Sequence, residues 1–589
     1  MTGDERPVSR GAKTLAIALA LLAPVRMAWI VFTNGENNLS NDYVARVPVV
    51  VEILDGRYPV SHLFRDTWIW GGHSWLGLLP FYWLNARFFA WDLNVELGIG
   101  LALTALKTLL VWLAVSGPLT RPARWTLLPA LSFLAFSVSQ VTSFTFGESV
   151  LQMQLAQVAV AAGALALARL ADRPGMRATS LAACGLLASW SWGGGVMAWP
   201  IFAAALFASG ERSLRRWVLL SLGATLGLSQ YVWFLVVAPL PRLVNSPGPR
   251  GLWRVLDLLG RPFANGTADF ETKRAAIVFG AAGLALAAAA VWAARHTLRE
   301  RLPALAILGW SLLLALQISV LRAGVAPWYI VPMTVFWLGL AALLAAAPRR
   351  LAAVGFATIA AGLLYSNRTW EDKSFYLPSR APASAACLRE WRTAPPGCHD
   401  LVFQWGNGYP GDFEILAGSL ERASLSVFGP HRTYLLQGDV TVGRMAIETP
   451  SLRAFLSRDG RTPADPNDFH RLDLVLAPAA AVTWRVDLPP NLKSARFWTR
   501  VRAAAGDPQL GRGVRVSVTA EGSSVILEKR AFLPRETARP LSVELSSLAG
   551  KRVTLRLAAE ETQEGATPLV FEAPRVLMTL DPGQNRHAP

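Results

Sequence analysis

Charge is scarce in this sequence. Asp, Glu, Lys and Arg make up 16% of its 589 residues, against 52% hydrophobic ones. That is too little polar surface for one soluble globule, but it suits a membrane domain joined to a soluble one. Cysteine is nearly absent, with three in the chain, which excludes a dense disulfide scaffold. No glycine-rich loop ending in Lys-Ser or Lys-Thr follows a strand-like run, so nucleotide-sugar donors are disfavoured. The first apolar stretch follows basic residues, as a signal peptide does, yet no clear small-residue cleavage pattern comes after it. It is read as a retained helix.

Long apolar runs fill the first part of the chain. Thr14 to Phe32, Val95 to Val115, Trp217 to Ala238 and Trp328 to Ala347 each have the length of about 20 residues that crosses a hydrocarbon core as a helix. Spans are expected near 14–33, 94–116, 125–145, 149–170, 178–192, 194–209, 217–238, 274–294, 302–320, 327–347 and 351–366, about eleven crossings. Beyond Asn367 no such window recurs. The expected fold is thus an α-helical polytopic membrane domain, 14–366, preceded by a short N-terminal segment, 1–13, and followed by soluble regions.

Basic residues fall in alternate connections, among them Arg6, Arg10 and Lys13, then Arg121 and Arg124, Arg173 and Arg177, Arg212, Arg215 and Arg216, Arg295, Arg299 and Arg301, and Arg349 and Arg350. Short cytoplasmic loops retain such residues, so the N-terminus is expected in the cytoplasm and residues from 367 onward outside. The net charge of +17 is then largely topology. Scattered one loop at a time, it lacks the stripe that nucleic acid requires, and no nucleic-acid partner is expected.

Cys184 lies in a span as a packing residue. Cys387 and Cys398 fall outside, flanking a Pro396-Gly397 turn, where an oxidising compartment favours a disulfide; two free thiols are the alternative. Residues 367–470 read as a mixed α/β segment, with amphipathic helices at Ser384–Arg392 and Asp412–Ala423 and a strand at Leu401-Val402-Phe403. Residues 471–589 carry short alternating runs at Val482–Leu488, Arg496–Ala503, Val514–Thr519, Leu541–Leu545, Val553–Leu557 and Leu569–Phe571. This is the pattern of an antiparallel β-sandwich.

The feature in most need of explanation is the first loop, Asn34 to Asp92. It opens with Ser40-Asn41-Asp42-Tyr43, a carboxylate at the membrane surface. Tyr43 to Leu54 has apolar residues at helical spacing and reads as a surface helix, for which Asp42 also suits the N-cap. The stretch from His73 to Asp92, rich in aromatics and interrupted by Pro80, reads as a second helix lying in the interface. No second metal ligand stands at a useful spacing from His73, and Trp68, Trp70, Trp75, Tyr82 and Trp83 suit an interfacial belt as well as sugar stacking. Asp66 and Glu148 are weaker acid candidates. Arg242, Arg250, Arg254 and Arg261 lie in the exterior loop 239–273 and Arg322 tops a late span. A guanidinium matches phosphate oxygens, although each arginine also suits a solvated or lipid-headgroup contact.

This order of features continues through Phe136-Ser137-Val138-Ser139-Gln140, Trp190-Ser191-Trp192-Gly193-Gly194-Gly195 with Trp199-Pro200, and Arg322. Together it resembles the GT-C superfamily of membrane glycosyltransferases, closest to bacterial multi-pass members, over most of residues 14–366. The resemblance implies an enzyme of the bacterial cytoplasmic membrane that takes a sugar from a polyprenyl-phosphate carrier and passes it to a glycan, lipid or protein acceptor. Asp42 would be the base that removes the acceptor proton, with the exterior arginines stabilising the leaving phosphate. No cofactor is certain; a divalent metal is permitted, although Asn41 stands where many relatives carry a second acid. Leu545 to Leu557, with Pro574-Arg575-Val576, resembles the closing strands of galactose-binding-like jelly rolls, which implies either sugar binding or a structural lid. The competing readings are a lipid or glycan transporter, for which Arg26 and Lys107 inside apolar spans speak, and an inactive envelope scaffold.

Overall fold

The computed structural model describes residues 8–34, 39, 43–69, 73–144, 147–237, 251–264, 270–321, 327–369, 388, 391–393, 412–429, 439–442, 446–447, 455–457, 472–476, 481–488, 490, 492–503, 512–520, 526–533, 539–559 and 569–580. The chain forms two compact units, Met1–Gly35 with Ala45–Leu377, and Glu36–Val44 with Pro378–Pro589.

The first unit is helical. Along the chain come α1 (Arg10–Asn34), α2 (Tyr43–Leu54), α3 (Leu63–Asp66), strands β1 (Trp68–Ile69) and β2 (His73–Ser74), α4 (Leu79–Phe89), α5 (Leu93–Val115), α6 (Arg121–Ala135), α7 (Val141–Phe144), α8 (Gly147–Arg169), α9 (Pro174–Ser191) and α10 (Ala198–Ala208). They are followed by α11 (Leu214–Val237), α12 (Gly251–Gly260), α13 (Phe270–Ala293), α14 (Leu298–Leu321), α15 (Ile330–Ala345) and α16 (Arg349–Thr369). Among the described residues, five helical stretches are long and apolar enough to cross a membrane: Arg10–Phe32, Leu93–Val115, Leu151–Arg169, Lys273–Ala293 and Leu298–Leu321. Helices α11 and α16 cover two further expected spans but are not among the five.

Helix α15 is buried from Ile330 to Leu344, as an all-round apolar helix must be when it forms a core. Helix α8, against which α5 and α9 pack, is nearly as enclosed. The expected crossing 125–145 is broken. Helix α6 stops at Ala135, a 3₁₀ turn occupies Val138–Gln140, and α7 is a single turn. The Gln140 carboxamide donates to the Leu134 and Ala135 carbonyls, both at 3.0 Å, and so meets two of the acceptors that a helix end leaves open. A second break separates α9 from α10 at Trp192–Met197. A Cβ at Gly195 would overlap the Ala188 carbonyl, so only glycine lets the chain turn back this closely.

The second unit contains α17 (Asp412–Arg422) and strands β3 (Asp439–Val442), β4 (Ala446–Ile447), β5 (Phe455–Ser457), β6 (Leu472–Leu476), β7 (Ala481–Asp487), β8 (Leu492–Ala503), β9 (Arg512–Ala520), β10 (Ile526–Leu533), β11 (Arg539–Glu544), β12 (Arg552–Ala559) and β13 (Leu569–Leu580). Helix α17 starts where the helix was expected, with Asp412 and Glu414 in its first turn and Arg422 in its last, the order that suits the helix dipole. The strands form two antiparallel sheets, ordered β10-β9-β12-β7-β4 and β11-β8-β13-β6-β5, with β3 also on β13. Alternate residues are buried in each: Val516, Val518 and Ala520 with Val553, Leu555 and Leu557 in one, Ala495, Phe497, Thr499 and Val501 with Leu541 and Val543 in the other. One face of each sheet is therefore a core face. The pairing of β13 with β8 slips between Glu572 and Arg575, where Pro574 has no N–H to give a ladder. Leu401–Phe403, expected as a strand, lies outside the described residues.

Candidate functional site

Asp42, Arg242, Arg250, Arg322, Cys387 and Cys398 lie outside the described residues. Glu148 occupies the first turn of α8, with its side chain outside them as well. His73, Arg254 and Arg261 are described.

His73 does not open a helix. It pairs with Ile69 across a two-stranded antiparallel ribbon, Ser74 with Trp68. The helix after it begins only at Leu79, with Pro80 in its first turn. Pro80 therefore starts α4 rather than interrupting a helix, because proline lacks an N–H where the first turn needs none. The signal for the ribbon was Gly71-Gly72 between two aromatic-rich pairs. The His73 ring stacks on Trp192, centroids 6.0 Å apart, and its Nδ1 accepts the Gly193 N–H at 3.3 Å. Ser74 donates to the Trp190 carbonyl at 3.3 Å. The Gln230 carboxamide donates to the Phe64 carbonyl at 2.7 Å and to the Thr67 hydroxyl at 3.1 Å. His73 and Ser74 are thus pinned to the broken connection after α9, and Phe64 and Thr67 to α11.

A carboxylate of the same loop, Asp66, accepts from Arg65 Nε at 2.6 Å and from the Tyr58 hydroxyl at 3.1 Å. Burial pushes its carboxyl up, but the hydrogen bonds from Arg65 and Tyr58 outweigh burial and hold it below the ordinary range. Burial and the Asp66 charge push the Tyr58 phenol well up. Asp66 is an ionised partner of its neighbours, with no raised pKa to mark a proton carrier.

Arg261 follows α12 and is buried. Its Nε and Nη2 donate to both carboxylate oxygens of Asp257 at 3.2 and 3.1 Å, and among the described residues its buried Nη1 has no acceptor. Asp257 already balances its charge, so a phosphate contact would have to come through Nη1. Arg254 is half-buried on α12. Arg261 bonds to neither Arg254 nor His73.

A polar constellation that the sequence did not single out lies at the corner between α4 and α5. Arg46 is fully buried on α2, with its guanidinium 5.3 Å from the Tyr82 ring centre. Tyr82 stacks on Trp91, centroids 5.7 Å apart, and meets Trp75 edge-on at 6.0 Å. Trp91 and Asn85 donate to Glu96 Oε1 at 2.6 and 3.2 Å, and Asp92 caps α5 by accepting the Asn94 N–H at 2.9 Å. Ala90 and Trp91 both take left-handed backbone, φ 52° and 50°, a conformation that costs a bulky residue energy and persists only where its surroundings dictate it. The readable signal was Arg46 on the apolar face of α2, between Tyr43 and Val50 at helical spacing.

A second buried constellation joins α5 to α8, where Lys107 Nζ donates to Gln154 Oε1 at 2.8 Å and Gln157 Oε1 at 2.7 Å. Arg26, the other basic residue inside an apolar span, donates to Asn367 at 2.6 Å. Among the described residues no three of His, Cys, Asp and Glu converge as metal ligands would. Compared with known proteins, the chain matches no family model and no curated sequence.

Proposed function

We propose that this chain is a membrane glycosyltransferase of GT-C type, which moves a sugar from a polyprenyl-phosphate donor to an envelope glycan, lipid or protein acceptor. The observation that supports this best is the build of the first loop. A mere connection between two spans has no use for a ribbon bonded to Trp190 and Gly193 or for a buried corner that holds Trp91 in left-handed backbone. Such rigidity suits a surface that must present a carboxylate in fixed geometry. Asp42, directly before α2, is the proposed base, and Arg322 with the arginines of 239–273 the proposed phosphate contacts.

In this reading the membrane domain makes about eleven crossings, with the N-terminus in the cytoplasm of a bacterium and residues 367–589 outside. The two sheets of the second unit are the halves of a jelly-roll sandwich that binds sugar or lids the membrane domain, and Cys387 and Cys398 form a disulfide. The test is Asp42→Asn at wild-type expression in a transfer assay with a polyprenyl-phosphate sugar. Loss of about 10²- to 10⁴-fold is expected for removal of a general base; full activity refutes the assignment.

Lys107 supports a second reading, a transporter, because an ionisable group buried in a span is unusual outside a transport path. The same variant separates the two. Asp42→Asn stops sugar transfer in the first case and leaves substrate movement intact in the second.

A further inference from the structure

Lys107 lies deep inside the first unit, 1% exposed, on a helix apolar enough to cross a membrane. Its ammonium carries donors only, so the two groups that meet it, the carboxamides of Gln154 and Gln157, must both turn their oxygens toward it. That orientation leaves neither Nε2 atom bonded to the lysine, and each is buried with no acceptor among the described residues. The side chains of Gln154 and Gln157 are fully enclosed, 0 and 1% exposed. The cluster therefore consists of a cation, a third Nζ proton with no acceptor among the described residues, and two amide groups with donors to spare. No carboxylate is bonded to Lys107 among the described residues.

Two glutamine oxygens supply dipoles but no countercharge. A lysine taken into apolar surroundings needs one, or it sheds its proton. Were the lysine simply a structural tie, one glutamine or a single carboxylate would serve. Gln154 and Gln157, three residues apart on α8, instead bring two donor-bearing carboxamides to one ammonium. An acceptor-only species with negative charge would satisfy the ammonium and both Nε2 groups together.

We propose that Lys107, Gln154 and Gln157 form an anion site between α5 and α8, for a small monovalent inorganic anion of the halide class. This stands apart from the transfer reading, since none of the residues assigned to transfer takes part in it.

The test uses the full-length protein in nanodiscs. Chloride or bromide, titrated against gluconate at constant ionic strength, is expected to raise Tm saturably by about 2 °C or more. The rise should vanish in Lys107→Gln, which keeps an N–H donor and removes the charge, and persist in Lys107→Arg. An equal response in wild type and Lys107→Gln, or no saturable response in wild type, overturns the proposal. If Lys107→Gln fails to fold, bromide anomalous scattering from the wild type decides. A peak in hydrogen-bond reach of Lys107 Nζ and the two Nε2 atoms supports the site, and water only at that position refutes it.

Discussion

Trp91 donates its indole N–H to Glu96 at 2.6 Å while its own backbone stands at φ 50°. The carboxylate thus holds in place a residue whose conformation is unfavourable, and the same oxygen accepts from Asn85. Glu96→Ala takes the acceptor from the buried Trp91 N–H, which costs about 1–3 kcal/mol, and leaves Asn85 Nδ2 with only its 2.9 Å bond to the Asp92 carbonyl. Tm in detergent should fall markedly, and Glu96→Gln, which keeps an acceptor, should lose less than half as much. Equal losses in the two variants would show that the charge, not the hydrogen bonds, holds the corner.

That corner also shows what the sequence could and could not yield. Helix Tyr43–Leu54 was legible because its apolar residues recur at helical spacing, and β7, β8, β9, β11, β12 and β13 of the second unit because theirs alternate. The His73 ribbon was not, since an aromatic-rich stretch after it reads as one helix unless Gly71-Gly72 is given priority. The break in 125–145 was hidden for another reason. Apolar residues flank it on both sides, and what permits it is a side chain, Gln140, bonding backward to Leu134 and Ala135. Lys107 was visible as an oddity, but its partners sit 47 and 50 residues away, beyond any local pattern. Asp42, Arg242, Arg250 and Arg322 lie outside the described residues, so their roles rest on the sequence and its resemblance.

Glu211, in the connection between α10 and α11, accepts the Ser213 N–H at 2.9 Å, meets Arg216 at 2.5 Å and lies 3.6 Å from Arg177. The Ser213 backbone bond, then the Arg216 side chain, hold its carboxyl below the usual range. A depressed folded pKa means that the unfolded chain takes up the proton first as pH falls. The stabilisation is complete above the ordinary glutamate range, roughly pH 4.5, and is lost on further acidification through the folded value. Tm of the wild type should fall through that window more steeply than Tm of Glu211→Gln. Parallel curves would rule out a contribution from Glu211.

At the second break, a Cβ on residue 195 meets backbone rather than a flexible side chain. Gly195→Ala must therefore shift the chain, at a cost of about 1–3 kcal/mol, visible as lower Tm. Gly175→Ala is the matched control, with open space around its Cβ and a helical position that alanine favours. It should leave Tm unchanged or slightly raised.

For Cys387 and Cys398, the expected disulfide predicts that alkylation of the unreduced, denatured protein modifies Cys184 alone. Reduction should then expose two further thiols. Three modified thiols before reduction remove the bridge from the proposal.

His73 gives the last prediction, because its Nδ1 accepts the Gly193 N–H while its ring stacks on Trp192. His73→Phe keeps a ring for the stack and removes the acceptor, leaving a buried backbone donor at a cost of about 1–3 kcal/mol. His73→Asn places an amide oxygen near the Nδ1 position and should recover part of the lost Tm without the stack. If the ribbon positions the first loop for transfer, both variants should lower kcat in proportion to lost Tm and leave KM for the donor unchanged. A KM that rises while Tm holds would instead make His73 a direct substrate contact.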